Sequence, residues 1–111
     1  MTMSSIEWLQ RWLTDQSNED WEHRFGITIT SLDNPGWAVA IDLEETGLER
    51  SVFVPINEER SESNWLICRV NDKRFEGFGG PANLGEIIEV FREWSEGTGD
   101  TPWISDPAVV S

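Results

Sequence analysis

The sequence predicts an α+β domain, an antiparallel sheet of four to five strands with an N-terminal and a C-terminal helix packed on its apolar face. Apolar residues alternate on both sides of a turn-forming cluster at residues 33–36. Segments near each end place apolar residues at helical spacing. The 111 residues include seven Trp and five Phe, enough apolar area for one core. We expect one domain over residues 1–96 and an irregular tail over 97–111.

The first predicted element is a helix from Ser4 to about Asp15. Ser4 and Glu7 have the spacing of a capping box, in which each side chain satisfies the other's backbone N–H group. At 100° per residue the centre of the apolar face is formed by Ile6, Leu9 and Leu13. Trp8 and Trp12 extend this face to one side and fall at its edge. They fit either the core or, if partly exposed, an interface.

A hairpin follows a polar loop at residues 16–20. Residues 27–30 and 37–43 alternate apolar with polar or small side chains and predict two antiparallel strands. In the turn between them, Pro35 fixes φ and Gly36 offers a permissive backbone. Asp33 or Asn34 can bond back to the turn.

The second half of the sheet is predicted from three shorter segments. One strand runs from residue 51 to 56, with Pro55 restricting it to an edge or ending it, and a charged loop covers 57–63. Residues 65–70 form the strongest strand after the hairpin. A tight turn at 71–73 leads into a shorter strand at 74–78.

The last predicted element is a helix capped by Asn83 and ending near residue 96. Its apolar face comprises Leu84, Ile87, Ile88, Phe91 and Trp94. Its opposite face carries Glu86, Glu89, Glu93 and Glu96. Like charges at this spacing destabilise a helix slightly, so the acidic stripe does not serve helix stability. In the tail, Trp103 and Ile104 are candidates to dock back on the domain.

The composition limits the classes of partner. Twenty-one acidic against eight basic residues give a formal net charge of −13, which disfavours direct binding to nucleic acid or an anionic membrane. The charge fits either a solvated surface or a surface complementary to a basic partner. The single cysteine excludes an intramolecular disulfide, and the N-terminus lacks signal-peptide features. We expect a cytoplasmic protein.

Few residues suggest catalysis. His23 beside Glu22 could act as a general base, or it could be structural at the junction between loop and strand. One His and one Cys cannot form the usual zinc sets, and Cys68 lies mid-strand where burial would make it inert. The glycines at 77–80 match no phosphate-binding loop. No metal or cofactor is expected, and an enzyme is not favoured.

The order of motifs resembles the immunity protein 53 family of bacterial polymorphic toxin systems over roughly residues 6–94. The residues that carry the resemblance are Ile6-Glu7-Trp8-Leu9-x-x-Trp12, Trp21-Glu22-His23-x-Phe25-Gly26-Ile27, Leu32-Asp33-Asn34-Pro35-Gly36-Trp37, Trp65-Leu66-x-Cys68, Phe75-x-Gly77-x-Gly79-Gly80-Pro81-x-Asn83-Leu84 and Phe91-x-x-Trp94. The resemblance implies a cytoplasmic antitoxin that binds a toxin domain and blocks it in the producing cell, without catalysis. A monomer or weak dimer is expected.

The resemblance also directs the site hypotheses. Acidic inhibitors cover basic clefts of nuclease-like toxins, so candidate toxin-binding residues are Glu86, Glu89, Glu93, Glu44, Glu45, Trp8 and Trp12. The family motifs are interpreted as mainly structural at Trp21, Glu22, His23, Asp33, Asn34, Pro35, Gly36, Trp37, Gly79 and Gly80. Two alternatives stay open. One is an acidic adaptor or nucleic-acid mimic, and the other is a small enzyme that uses His23 and Glu22.

Overall fold

The computed structural model describes residues 4–98, which form five strands and three helices. In chain order these are α1 (Ser5–Gln16), α2 (Trp21–Arg24), β1 (Ile27–Leu32), β2 (Gly36–Asp42), β3 (Ile56–Glu59), β4 (Trp65–Val70), β5 (Arg74–Gly79) and α3 (Leu84–Thr98). The strands form one sheet in the order β1-β2-β5-β4-β3, and every neighbouring pair is antiparallel. The predicted α+β class is therefore confirmed. Trp103, Ile104 and most of the predicted tail lie outside the described residues.

Helix α1 begins with the predicted capping box. The Glu7 backbone N–H donates to Ser4 Oγ at 3.1 Å, and the Ser4 N–H donates to Glu7 Oε1 at 3.0 Å. The predicted apolar face of the helix is only partly correct, however. Ile6 and Leu13 are 50% and 36% exposed, whereas Trp8 and Trp12 are only 8% and 7% exposed. Leu9, at the centre of the predicted face, is buried at 6% exposure, but the two tryptophans rather than Ile6 and Leu13 complete the buried face because they bury the most area.

The hairpin of β1 and β2 follows the prediction. Its strands pair from Ile27 with Ile41 to Leu32 with Gly36, which leaves residues 33–35 as the turn. Val39 and Ile41 are almost completely buried on the face that meets the helices. The alternation of apolar residues in the sequence therefore correctly predicted the turn of this hairpin and the buried face of β2.

Strand β3 differs from the prediction. It begins at Ile56, where the predicted strand was to end, and it extends into the segment that was predicted to be a charged loop. Ile56 pairs with Cys68 and Glu59 with Trp65. Pro55 has no N–H to contribute to a ladder, so regular pairing starts only after it.

The link between β4 and β5 is a two-residue turn. Asp72 and Lys73 both have positive φ, at 54° and 59°, as in a type I′ hairpin. The Asn71 N–H donates to the Arg74 carbonyl oxygen at 2.9 Å and the reverse bond measures 3.1 Å. The sequence located this turn, although neither residue is the glycine that such a turn prefers.

Helix α3 covers one face of the sheet, and Phe91 lies at its centre. The Phe91 ring centroid is 5.1 Å from that of Phe75 on the sheet and 5.1 Å from that of Trp12 on α1. Trp8 and Trp94 add further ring contacts at 5.8 and 6.1 Å. Helix α1 thus joins the core largely through α3. None of the described helices is long and apolar enough to cross a membrane.

Two family-motif glycines allow backbone segments to approach closely. A Cβ atom at Gly36 would overlap the Gly79 carbonyl oxygen across the β2–β5 pair. One at Gly80 would overlap the Ser63 carbonyl. The prediction that Gly36 provides backbone freedom is therefore corrected, because the position requires space for the neighbouring strand.

Candidate functional site

The acidic face of α3 is the first candidate surface, and Glu86 lies at its N-terminal end. Its carboxylate accepts two hydrogen bonds from Arg60, at 2.9 and 2.7 Å, and one from Asn83 Nδ2 at 3.0 Å. The Arg60 hydrogen bonds are the main cause that lowers the Glu86 pKa. Much of the charge on Glu86 is thus compensated within the domain.

Asn83 connects this ion pair to the sheet. Its Oδ1 accepts from the Gly80 N–H at 3.1 Å and from the Trp65 N–H at 3.3 Å, while its Nδ2 donates to Asn64 at 3.0 Å. The side chain is the buried polar group of the described core, at 6% exposure. Asn83 stands at the predicted capping position, but its Oδ1 accepts hydrogen bonds from the loop and strand before the helix, and its side chain contacts the first turn through the bond from Nδ2 to Glu86.

The rest of the acidic stripe is more open. Glu89 accepts a hydrogen bond from Ser5 Oγ of α1 and lies 3.7 Å from Arg92 Nη1. Arg92 also approaches Glu96 at 3.6 Å. Glu93 is exposed to solvent between them. The stripe therefore presents one fully solvated carboxylate and two loosely paired ones.

The remaining predicted glutamates lie elsewhere. Glu45 pairs with Arg24 at 2.7 Å, and the Glu44 carbonyl oxygen accepts from Trp21 Nε1 at 2.8 Å. The residues that follow them, 46–48, line a groove with Ser95 near the C-terminal end of α3. Since Glu86 is at the other end of this helix, the five predicted glutamates do not form one patch.

Trp8 and Trp12 are corrected as binding candidates. Both indoles are more than nine-tenths buried and pack against Phe91, and what remains exposed of Trp12 lines the groove beside residues 46–48. Neither is the exposed anchor that was predicted. The amphipathic pattern placed them at the edge of the helix face, but it could not show that α3 packs on that edge.

The Trp-Glu-His motif forms the short helix α2, which the sequence did not predict. Trp21 is 1% exposed and packs edge-on against Trp12 with ring centroids 6.0 Å apart. The Glu22 carboxylate accepts the backbone N–H groups of Asn18 and Glu19 at 2.9 and 2.8 Å. Backbone hydrogen bonding is the leading cause that lowers the Glu22 pKa. His23 is exposed on the outer side.

The hairpin contributes two kinds of family-motif position, the contact residue Trp37 and the residues of the turn. The indole N–H of Trp37 donates to the Pro81 carbonyl oxygen at 3.0 Å, which links the hairpin to the segment before α3. The turn residues Asp33, Asn34 and Pro35 are exposed. Their exposure leaves the turn itself accessible, while the strands on either side carry the packing.

No catalytic constellation is found in the part of the chain that the structure describes. Burial raises the pKa of the Cys68 thiol to about 12, so the thiol stays protonated at neutral pH. Across residues 4–98 no group of three or more His, Cys, Asp or Glu side chains could hold a metal ion. Glu22 makes backbone contacts and is not directed at the ring of His23 by any described hydrogen bond.

A second surface, which the sequence did not single out, is the sheet face opposite α3. Trp65, Ile67 and Phe78 lie on it, and Ile67 and Phe78 are direct cross-strand partners. All three are partly exposed, and the Arg69 guanidinium lies 5.4 Å from the Phe78 ring centroid. We call this surface the open face. In the sequence, the open face is indicated by the unbroken apolar run Trp65-Leu66-Ile67-Cys68, because such a run puts apolar side chains on both faces of one strand.

An acidic stripe on a helix, together with a partly apolar open face, is typical of a protein-binding domain. The chain belongs to the immunity protein 53 family, because the model of that family, described as Immunity protein 53, matches residues 6–96. No curated protein and no solved structure matches the chain. Membership implies that the partner is a toxin protein, and the family is generally non-enzymatic.

Proposed function

We propose that this protein neutralises one cognate polymorphic toxin by direct, stoichiometric binding in the cytoplasm of the cell that produces it. Family membership over residues 6–96 carries the proposal. The formal net charge of −13 supports it, because an acidic inhibitor is complementary to the basic clefts of toxins that attack nucleic acid.

The acidic stripe of α3 is proposed to attract the toxin over long range. Glu89 and Glu93 supply most of this attraction, since Glu86 is compensated by Arg60. Glu44 adds to the same negative field from the loop after β2, whereas the charge of Glu45 is compensated by Arg24. Charges at the rim of an interface act mainly on the association rate and its salt dependence.

Reversing the charge at Glu89 and Glu93 to lysine is expected to slow association with the toxin by about three- to tenfold at low salt. Glu86 is left in place because its carboxylate holds Arg60 and Asn83. Stopped-flow association rates at low and high salt measure the effect. The wild-type and variant rates should converge at high salt. Equal association rates at low salt would contradict a role for the stripe.

Co-expression tests the function itself. The product of the open reading frame beside this gene should arrest growth, and the wild-type domain and a His23→Ala variant should restore it equally. His23 is exposed and away from the core, so the substitution should leave folding intact. Loss of protection by a folded His23→Ala variant would favour the enzyme alternative.

A pull-down separates the remaining alternative. The tagged domain should capture the neighbouring gene product in a one-to-one complex that persists as salt is raised to physiological levels. Capture of many basic proteins with similar affinity, all fading together with salt, would instead indicate an acidic adaptor or nucleic-acid mimic.

A further inference from the structure

The open face carries a groove at its β3–β4 end. The groove has a volume of about 540 Å³ and is lined by residues 59–62 together with Trp65 and Ile67. Glu59 is the cross-strand partner of Trp65, so the two side chains leave the sheet on the same face. Leu66 and Cys68 point the other way into the core. Trp65, Ile67 and Glu59 therefore line the groove from the face opposite α3, although Arg60 in its lining bonds to Glu86 of that helix.

The charges around this groove are not balanced. Arg60, the basic residue in its lining, is held by Glu58 at 2.7 Å and by Glu86 at 2.7 Å. No ion pair or hydrogen bond among residues 4–98 engages the carboxylates of Glu59 and Glu62. Two exposed and uncompensated negative charges thus stand beside a tryptophan ring.

Trp65 differs from three other tryptophans in the use of its indole N–H group. Trp21, Trp37 and Trp94 donate their indole N–H groups to backbone carbonyl oxygens of Glu44, Pro81 and Val52. The indole N–H of Trp65 donates to no other described residue. A partly exposed ring with a free donor is typical of an interface anchor, because it adds apolar area and a hydrogen bond without new ordering inside the domain.

We propose that this groove is the contact site for a basic side chain of the toxin domain, with Trp65 beneath its stem or cation and Glu59 and Glu62 around its charge. The inference rests on the proposed function and names the surface that performs it. A cation over an indole and beside carboxylates combines cation–π attraction with charge-assisted hydrogen bonds.

Charge also discriminates between occupants of the open face. A second copy of the chain would bring the same uncompensated glutamates toward each other, which opposes self-association. Phosphate groups of nucleic acid would be repelled in the same way. Ile67 and Phe78 extend the groove into an apolar strip. A protein surface with a basic side chain and apolar residues around it is complementary both to the uncompensated glutamates and to this strip.

The test uses the full chain and the neighbouring toxin domain as the probe, with dissociation rates measured by surface plasmon resonance. Trp65→Ala and the double variant Glu59→Lys, Glu62→Lys should each raise the dissociation rate by about 30- to 100-fold. The matched control is Asp15→Lys with Glu19→Lys, which makes the same change in net charge at two exposed carboxylates, one at the end of α1 and one in the loop that follows it. The control should change dissociation by less than about threefold.

Each outcome has one meaning. Dissociation rates of the groove variants within threefold of wild type would overturn the proposed site while leaving toxin binding intact. If wild type does not bind the toxin, the proposed function fails and this site fails with it. Circular dichroism checks folding, and if Trp65→Ala does not fold, the exposed glutamate pair carries the test.

Discussion

Replacing Phe91 with alanine is expected to lower the free energy of unfolding by about 3–5 kcal/mol. The ring is fully buried and meets aromatic rings from α1 and the sheet as well as its own helix. Its removal leaves a cavity that these elements cannot fill without moving apart. Urea unfolding followed by tryptophan fluorescence measures the change.

Phe78→Ala is the matched comparison, because Phe78 is the same residue type on the open face and is already partly solvated. We expect it to cost less than half as much. Similar losses for the two variants would contradict the view that Phe91 joins the helices to the sheet.

Replacing Asn83 with alanine is expected to lower the free energy of unfolding by about 2–3 kcal/mol. The Trp65 N–H loses its acceptor in a part-buried site, and the Gly80 N–H keeps only its longer bond to the Trp65 carbonyl oxygen at 3.3 Å. Arg60 and Glu86 also lose a neighbour that orients them. Chemical unfolding at neutral pH measures the loss.

Asn57→Ala serves as the control, since Asn57 is an exposed strand residue of the same type. Its replacement should change the free energy of unfolding by no more than about 0.5 kcal/mol. A loss below 1 kcal/mol for Asn83→Ala would show that solvent replaces its hydrogen bonds and that the loop before α3 does not depend on it.

Local patterns predicted much of this fold because their causes are local. The hairpin followed from alternation around residues 33–35, and the start of α1 followed from the capping box of Ser4 and Glu7. The face of α3 followed from helical periodicity, with Ile87, Ile88 and Phe91 buried as expected. In each case the residues that determine the element lie close together in the sequence.

The features that were missed depend on residues distant in the chain. Trp8 and Trp12 are buried because α3, some eighty residues later, packs against them. The charge of Glu86 is compensated by an ion pair with Arg60. No spacing rule predicts this pairing, because the two residues are distant in the chain. Strand β3 begins after Pro55 rather than before it, as was predicted, because its start is determined by pairing with β4.

The candidate site was only partly predictable for the same reason. The sequence identified the acidic stripe, since helical spacing alone puts its glutamates on one face. It could not identify the groove, because Glu59, Glu62 and Trp65 meet only when β3 and β4 pair. Such a surface is indicated when one strand has apolar residues on both faces but a helix covers only one face of the sheet.

The strand order divides the sheet into two parts, each made of strands that are close together in sequence. The β1–β2 hairpin and the β3-β4-β5 meander each join segments that are close in sequence. Only the β2–β5 pair links distant partners, such as Trp37 with Gly79 and Asp42 with Arg74. Among the strand pairs, closing that long loop carries the largest entropic cost, so we expect it to limit the rate at which the complete sheet forms. Gly36 of β2 and Gly79 of β5 approach each other closely where the two parts meet. Gly36 is therefore needed for the two parts to join, because a side chain at this position would overlap the Gly79 carbonyl oxygen.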